Sequence, residues 1–209
     1  MLGVTSHYDA YVASLPDGLD SYPDCVVKGS VVRVFGDRLE PEVLDNLPAE
    51  VRELSRNPPQ MNEWVPFAKV AGLAHGVRDQ VFIGDDDGLR VWFAGGMESV
   101  LSSPMYRILL SLTSPVRIAR TSERRWSAFN RGVTRKCLAV FENGARGEVR
   151  YPPYLIDELL AEAFVQSFER ALALSRARNP VVQLVEWTPE YFISEGLFDQ
   201  VKPRGAQLE

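Results

Sequence analysis

The side chains able to do acid–base or metal chemistry are few and scattered. The chain has two histidines, His7 and His75. His75 sits between Ala74 and Gly76 beside an apolar stripe, with no nucleophile signature near it. A structural histidine is expected there, because a catalytic one needs a positioned partner. Triads also assemble in space, so an enzyme site built from scattered residues such as His75, Asp85, Asp87 and Arg107 stands as an alternative. Cys25 and Cys137 each lack a second cysteine or a histidine at metal-ligand spacing. GDDDG (84–88) carries three adjacent carboxylates. It lacks the alternating ligands and distal glutamate of an EF-hand loop, and it suits a turn that caps a helix. Asp157, Glu158, Glu162 and Glu169 fall on the polar face of one amphipathic helix, so they are expected in solvent. Neither a P-loop nor a G-x-G-x-x-G fingerprint occurs. No catalytic residue, metal ligand or cofactor is assigned from the residues.

The segment from Arg117 to Lys136 is different. It holds seven basic residues and one acid, Glu123, in a chain of net charge −5. Within it, ERRWSAFNRG (123–132) sets arginines beside Trp126 and Phe129. Such a mixture suits stacking and phosphate contact, so a nucleic-acid or anionic-surface binder through residues 117–136 is a second alternative. On a helix, however, Trp126 and Phe129 share a face and Arg124, Arg125 and Arg131 fall mostly elsewhere. The aromatics are then expected inward and the arginines in solvent or against acids. Residues 1–60 hold ten Asp or Glu against five Lys or Arg, so an acidic partner surface, on this chain or a second copy, is available. Arg124, Arg125 and Arg131 are the candidate partner-binding residues.

These residues need elements to hold them. Residues 1–24 are polar and broken by prolines, and are expected as a loosely ordered arm. CVVKGSVVRVF (25–35) reads as an extended entry running into a helix at Gly29-Ser30. Pro48 splits PEVLDNLPAEVRELSR (41–56) into two short helices. Residues 63–82, 84–103 and 104–115 read as helices, the last bounded by prolines. Residues 121–132 are expected as a capped helix ending at Gly132. Asn143-Gly144 between alternating stretches predicts a hairpin over 135–153. Residues 154–177 carry the longest apolar stripe, including Phe164 and Phe168, and Asn179-Pro180 ends that helix. VVQLVEWTPEYFIS (181–194) supplies strands around Thr188-Pro189. The expected fold class is α+β, a helical layer packed on a small antiparallel sheet, with a hairpin, a long helix and terminal strands in the C-terminal half. One domain is expected over 25–198, with a flexible tail over 199–209.

Composition agrees with one globular domain. Hydrophobic residues make up 45% of 209 and charged residues 24%. The acidic balance disfavours general nucleic-acid binding. Two cysteines, no basic-then-apolar leader and no apolar run of the roughly 18–20 residues that span a bilayer point to the cytoplasm.

The order VVKGSVVRVF, LPAEVRE, EWVPF, YRILLSLTSPVRIARTSERRWSAFNRG, a hairpin, FERALALS and VVQLVEW resembles an uncharacterised myxobacterial family of about 200-residue paralogues. That family is similar to the superfamily of 4-vinyl-reductase-type, haem-NO-binding-like and TRAPP domains. The resemblance covers roughly residues 25–195 and implies an α+β fold, often dimeric, with an apolar cavity between helices and sheet. It implies binding of a small apolar ligand or a protein partner rather than catalysis. The terminal cysteine cluster of 4-vinyl-reductase-type domains is replaced here by TPEYFISEG, and the Tyr-x-Ser-x-Arg motif of haem sensors is missing, so no cofactor is carried over. The expectation is a homodimeric sensory or scaffold domain, with Trp92, Tyr106, Trp126, Phe129, Phe164 and Phe168 as candidate ligand-binding residues.

Overall fold

The computed structural model describes residues 6–102, 113–175 and 177–199. The chain starts with α1 (His7–Ser14), whose first turn is capped by Ser6 accepting from the Asp9 N–H. Tyr8, Tyr11, Leu15 and Leu19 are all buried, and the Tyr11 hydroxyl donates to the Leu155 carbonyl at 3.0 Å. The expected N-terminal arm is therefore fastened to the domain over residues 6–24, because its apolar side chains enter the common core.

Val26–Lys28 forms β1 and leads directly into α2 (Gly29–Gly36). Two short helices follow on either side of Pro48, α3 (Pro41–Asn46) and α4 (Ala49–Arg56). The helix expected from residue 63 starts later. Trp64–Pro66 is a strand, β2, paired antiparallel to β1, and α5 runs only over Phe67–Val77. Asp85 caps α6 (Asp86–Leu101) by accepting from the Gly88 N–H at 3.1 Å. The acidic knot is thus a turn and cap, with Asp86 on Arg78 and Asp87 on Arg90. The helix expected over 104–115 lies almost wholly outside the described residues, as does the tail from residue 200.

Two six-residue helices come next, α7 (Pro115–Arg120) and α8 (Ser122–Ser127). The second stops well before Gly132. Asn130–Arg131 instead forms β3, which completes a small sheet in the order β2-β1-β3. The Lys28 N–H donates to the Phe129 carbonyl at 2.9 Å. A helix this short gains little from propagation, so pairing with β1 wins.

The C-terminal half is a four-stranded antiparallel sheet, β4 (Thr134–Phe141), β5 (Gly144–Arg150), β6 (Arg178–Trp187) and β7 (Tyr191–Asp199), in the order β4-β5-β7-β6. The first hairpin closes through Glu142-Asn143, and Gly144 pairs with Phe141. Pro180 falls inside β6, an edge strand with an irregular register there, where a missing N–H costs no ladder bond. Between the two hairpins, α9 (Glu158–Ala173) is capped by Asp157 and buries Leu160, Ala163 and Phe164. Phe164 joins the layers. Its ring lies 5.1 Å from Phe93 on α6, 5.6 Å from Trp126 on α8 and 6.4 Å from Phe192 on β7. The architecture is α+β, as the patterning predicts, with a second, smaller sheet that it does not show.

Candidate functional site: an apolar cavity with a buried arginine

Beneath α9 the sheet is lined with small side chains. Gly147 stands opposite Ser194, and Ala145 opposite Gly196, in the β5–β7 register. Cys137 on β4 continues the first row. Helices α6, α8 and α9 bring Phe93, Met97, Trp126, Phe164 and Phe168 over this floor. Large aromatics facing glycine, alanine and serine cannot close onto the sheet, and a cavity of about 760 Å³ remains. That volume falls in the range of small-molecule sites, roughly 300–1,000 Å³.

Trp126, Phe129, Phe164 and Phe168 line the cavity. The Trp126 indole is held by a 2.9 Å hydrogen bond from Nε1 to the Val133 carbonyl. Trp92 is not among the lining residues and packs on Phe35, with ring centroids 5.0 Å apart. Tyr106 lies outside the described residues.

The lining is otherwise apolar apart from arginines and a few small polar groups. Among the described residues it contains no aspartate or glutamate. Arg117 and Arg124 are exposed lining residues and form part of the rim. Arg125 also lines the cavity, and its Nε donates to Thr121 Oγ1 at 3.0 Å. Arg135 lies inside. It pairs in register with buried Val149, so strand alternation turns it to the core face with Cys137. Its guanidinium stands 3.7 Å over the Phe168 ring. Nη1 is enclosed and has no hydrogen-bond partner among the described residues. Burial pulls its pKa down to about 10. The sequence grouped Arg135 with the basic segment. The signal that separates it is the alternation of RKC within a strand.

The basic segment does not form one surface. Arg131 lies 4.0 Å over the Trp64 ring, which also carries Lys28 at 4.0 Å. Among the described residues no carboxylate makes an ion pair with Arg124, Arg125 or Arg131.

His75 is fully buried on α5 and stacks on Tyr11, with ring centroids 4.6 Å apart. Its Nε2 is 3.4 Å from Asp157 Oδ2, and neither nitrogen makes a hydrogen bond. Burial lowers its pKa against the opposing pull of Asp157. His7, His75 and Asp157 bring one ligand atom each to within 4.8 Å of one another, the one group among the described residues that could hold a metal. Ligands about 2.1 Å from a tetrahedral ion stand closer together than that, so binding would require the three to draw in.

No family model matches the chain, and no curated relative matches it in sequence. Solved structures do match in fold. A structure used to probe heme distortion in the H-NOX family aligns with TM-score 0.58 and 10% identity, over 83% of this chain and 95% of that one. The Fe(II) unliganded H-NOX protein from K. algicida aligns with TM-score 0.57 and 11% identity, over 84% and 98%. A point mutant of that protein gives TM-score 0.56 at 10% identity, over 83% and 97%. The likeness is one of fold. The residues of this cavity do not fit a histidine-bound heme, because both histidines of the chain, His7 and His75, lie outside its lining.

Proposed function

We propose that the chain is a non-catalytic sensory or scaffold domain that takes a small apolar ligand into the cavity under α9. The observation that carries this reading is the 760 Å³ space itself, walled by aromatics and floored by paired small residues. Natural cores close such space, since empty volume forfeits dispersion contacts on every side. The H-NOX likeness supports it as a fold suited to internal ligands.

The test uses N-phenyl-1-naphthylamine, a neutral dye that brightens in apolar sites. The wild-type protein is expected to bind it saturably with one site per chain. Ser194→Leu, which fills the floor, is expected to weaken uptake at least tenfold while unfolding stays cooperative. Uptake equal in both proteins removes the cavity as the site. The proposal includes a homodimer. Val181 and Leu197 pair across β6 and β7 and are 57% and 39% exposed, apolar surface that a second copy would cover. Light scattering that returns 23.4 kDa rather than twice that mass rejects the dimer.

A further inference from the structure

The cavity holds a charge that its own walls do not balance. Arg135 projects from β4 into the space, one guanidinium face covered by Phe168 and the strand floor at Gly147 beneath it. No carboxylate lines the cavity among the described residues, and enclosed Nη1 has no acceptor. A buried donor left unmade is costly, and a buried charge without a counter-charge more so. Native folds retain such a group where something else completes it. Apart from its arginines the cavity lining is apolar or small, so the completing partner must bring both an anionic end and an apolar body.

We propose that the cavity ligand is an apolar monocarboxylate, a fatty acid or similar amphipathic acid, whose carboxylate is received by Arg135. This rests on the cavity being the ligand site. The planar fork of a guanidinium matches a carboxylate through two parallel N–H···O bonds. Among the described lining arginines Arg135 alone has an enclosed donor without a partner, and its one guanidinium balances one negative charge. A phosphate monoester carries close to two at neutral pH and would leave excess charge inside. Arg117 and Arg124 at the rim give an anion a favourable approach, although the chain as a whole is acidic. The tail of the acid would lie along Phe164 and Phe168 over the Ala145–Gly196 floor.

The experiment is displacement of bound N-phenyl-1-naphthylamine from the full chain by dodecanoate, dodecanol and dodecyl phosphate, the alcohol below its solubility limit and the other two below their micellar concentrations. Dodecanoate is expected to displace the dye at a concentration at least tenfold lower than dodecanol. In Arg135→Met that advantage is expected to vanish while dodecanol displaces unchanged, and the ligand-free variant is expected to melt at a higher temperature. Arg135→Lys is expected to keep part of the advantage. Equal displacement by the acid and the alcohol in the wild type overturns the proposal, without any variant needing to fold. A preference for dodecyl phosphate over dodecanoate overturns the carboxylate. If the dye does not bind at all, the cavity reading falls first, which separates the two failures.

Discussion

Arg135 and His75 show opposite ways of keeping an ionisable side chain inside a protein. The guanidinium stays charged, because a pKa of about 10 still lies far above neutrality. Its cost is therefore carried by the ligand-free fold. The imidazole escapes the same cost by being neutral. Burial lowers the His75 pKa from its ordinary value near 6.5, while Asp157 works the other way. In the unfolded chain the imidazole takes up a proton as pH falls through about 6.5, and in the folded chain it resists doing so. The stability attached to His75 is thus complete above that pH and is lost as pH drops below it. Between pH 7 and 5 the unfolding free energy of the wild type, read from urea titrations, is expected to fall by up to about 1.4 kcal/mol per pH unit from this one group. His75→Met, close in volume and untitratable, is expected to show the flatter profile. Equal slopes in the two proteins would mean that His75 takes up its proton in the fold as readily as in the unfolded chain. The burial of His75 was legible from its apolar neighbours. Its isolation from hydrogen bonds was not, since Tyr11 and Asp157 reach it from distant parts of the chain.

At the scale of elements, the junction between the two sheets depends on Gly132. It leaves β3 with φ of +73°, where an L side chain is strained, and an added Cβ would lie 2.6 Å from the Asp24 carbonyl oxygen. Gly132→Ala is expected to cost about 2 kcal/mol or more, read as a lower denaturation midpoint. A smaller loss would show that residues 24–25 can move aside. The sequence marked Gly132 as a terminator and placed it at a helix end. What it ends is β3, because the partner that recruits Asn130 and Arg131 is β1, about a hundred residues away in sequence. Local patterning found α2, the hairpin at 142–143 and the long α9, all of which are decided by neighbours in the chain. It missed the β2-β1-β3 sheet, whose strands are two or three residues long and too short for any period to show. The cavity was legible only in part. Phe164 and Phe168 follow from the stripe of α9, but a floor of small residues exists only once β5 and β7 are in register.

For the whole molecule, the same floor decides where volume is lost from the core. The aromatic chain through Phe93, Trp126, Phe164 and Phe192 ties helices to sheet, yet next to it the layers stand apart. Three of these rings, Phe93, Trp126 and Phe164, also wall the space. The chain has four tryptophans, Trp64, Trp92, Trp126 and Trp187, and of these Trp126 alone lines the cavity. Trp64 sits between two cations, and Trp187 Nε1 donates to the Ile156 carbonyl at 3.1 Å. An occupant would change the surroundings of one indole and leave three as they were. The protein therefore contains its own optical gauge of occupancy. Dodecanoate is expected to shift the intrinsic emission of the wild type, and Trp126→Phe is expected to abolish that shift while the remaining three indoles supply a constant background. A shift that survives the substitution would place the ligand elsewhere. Held by its bond to Val133, Trp126 turns a gap in the packing into a signal that can be read in solution without any label.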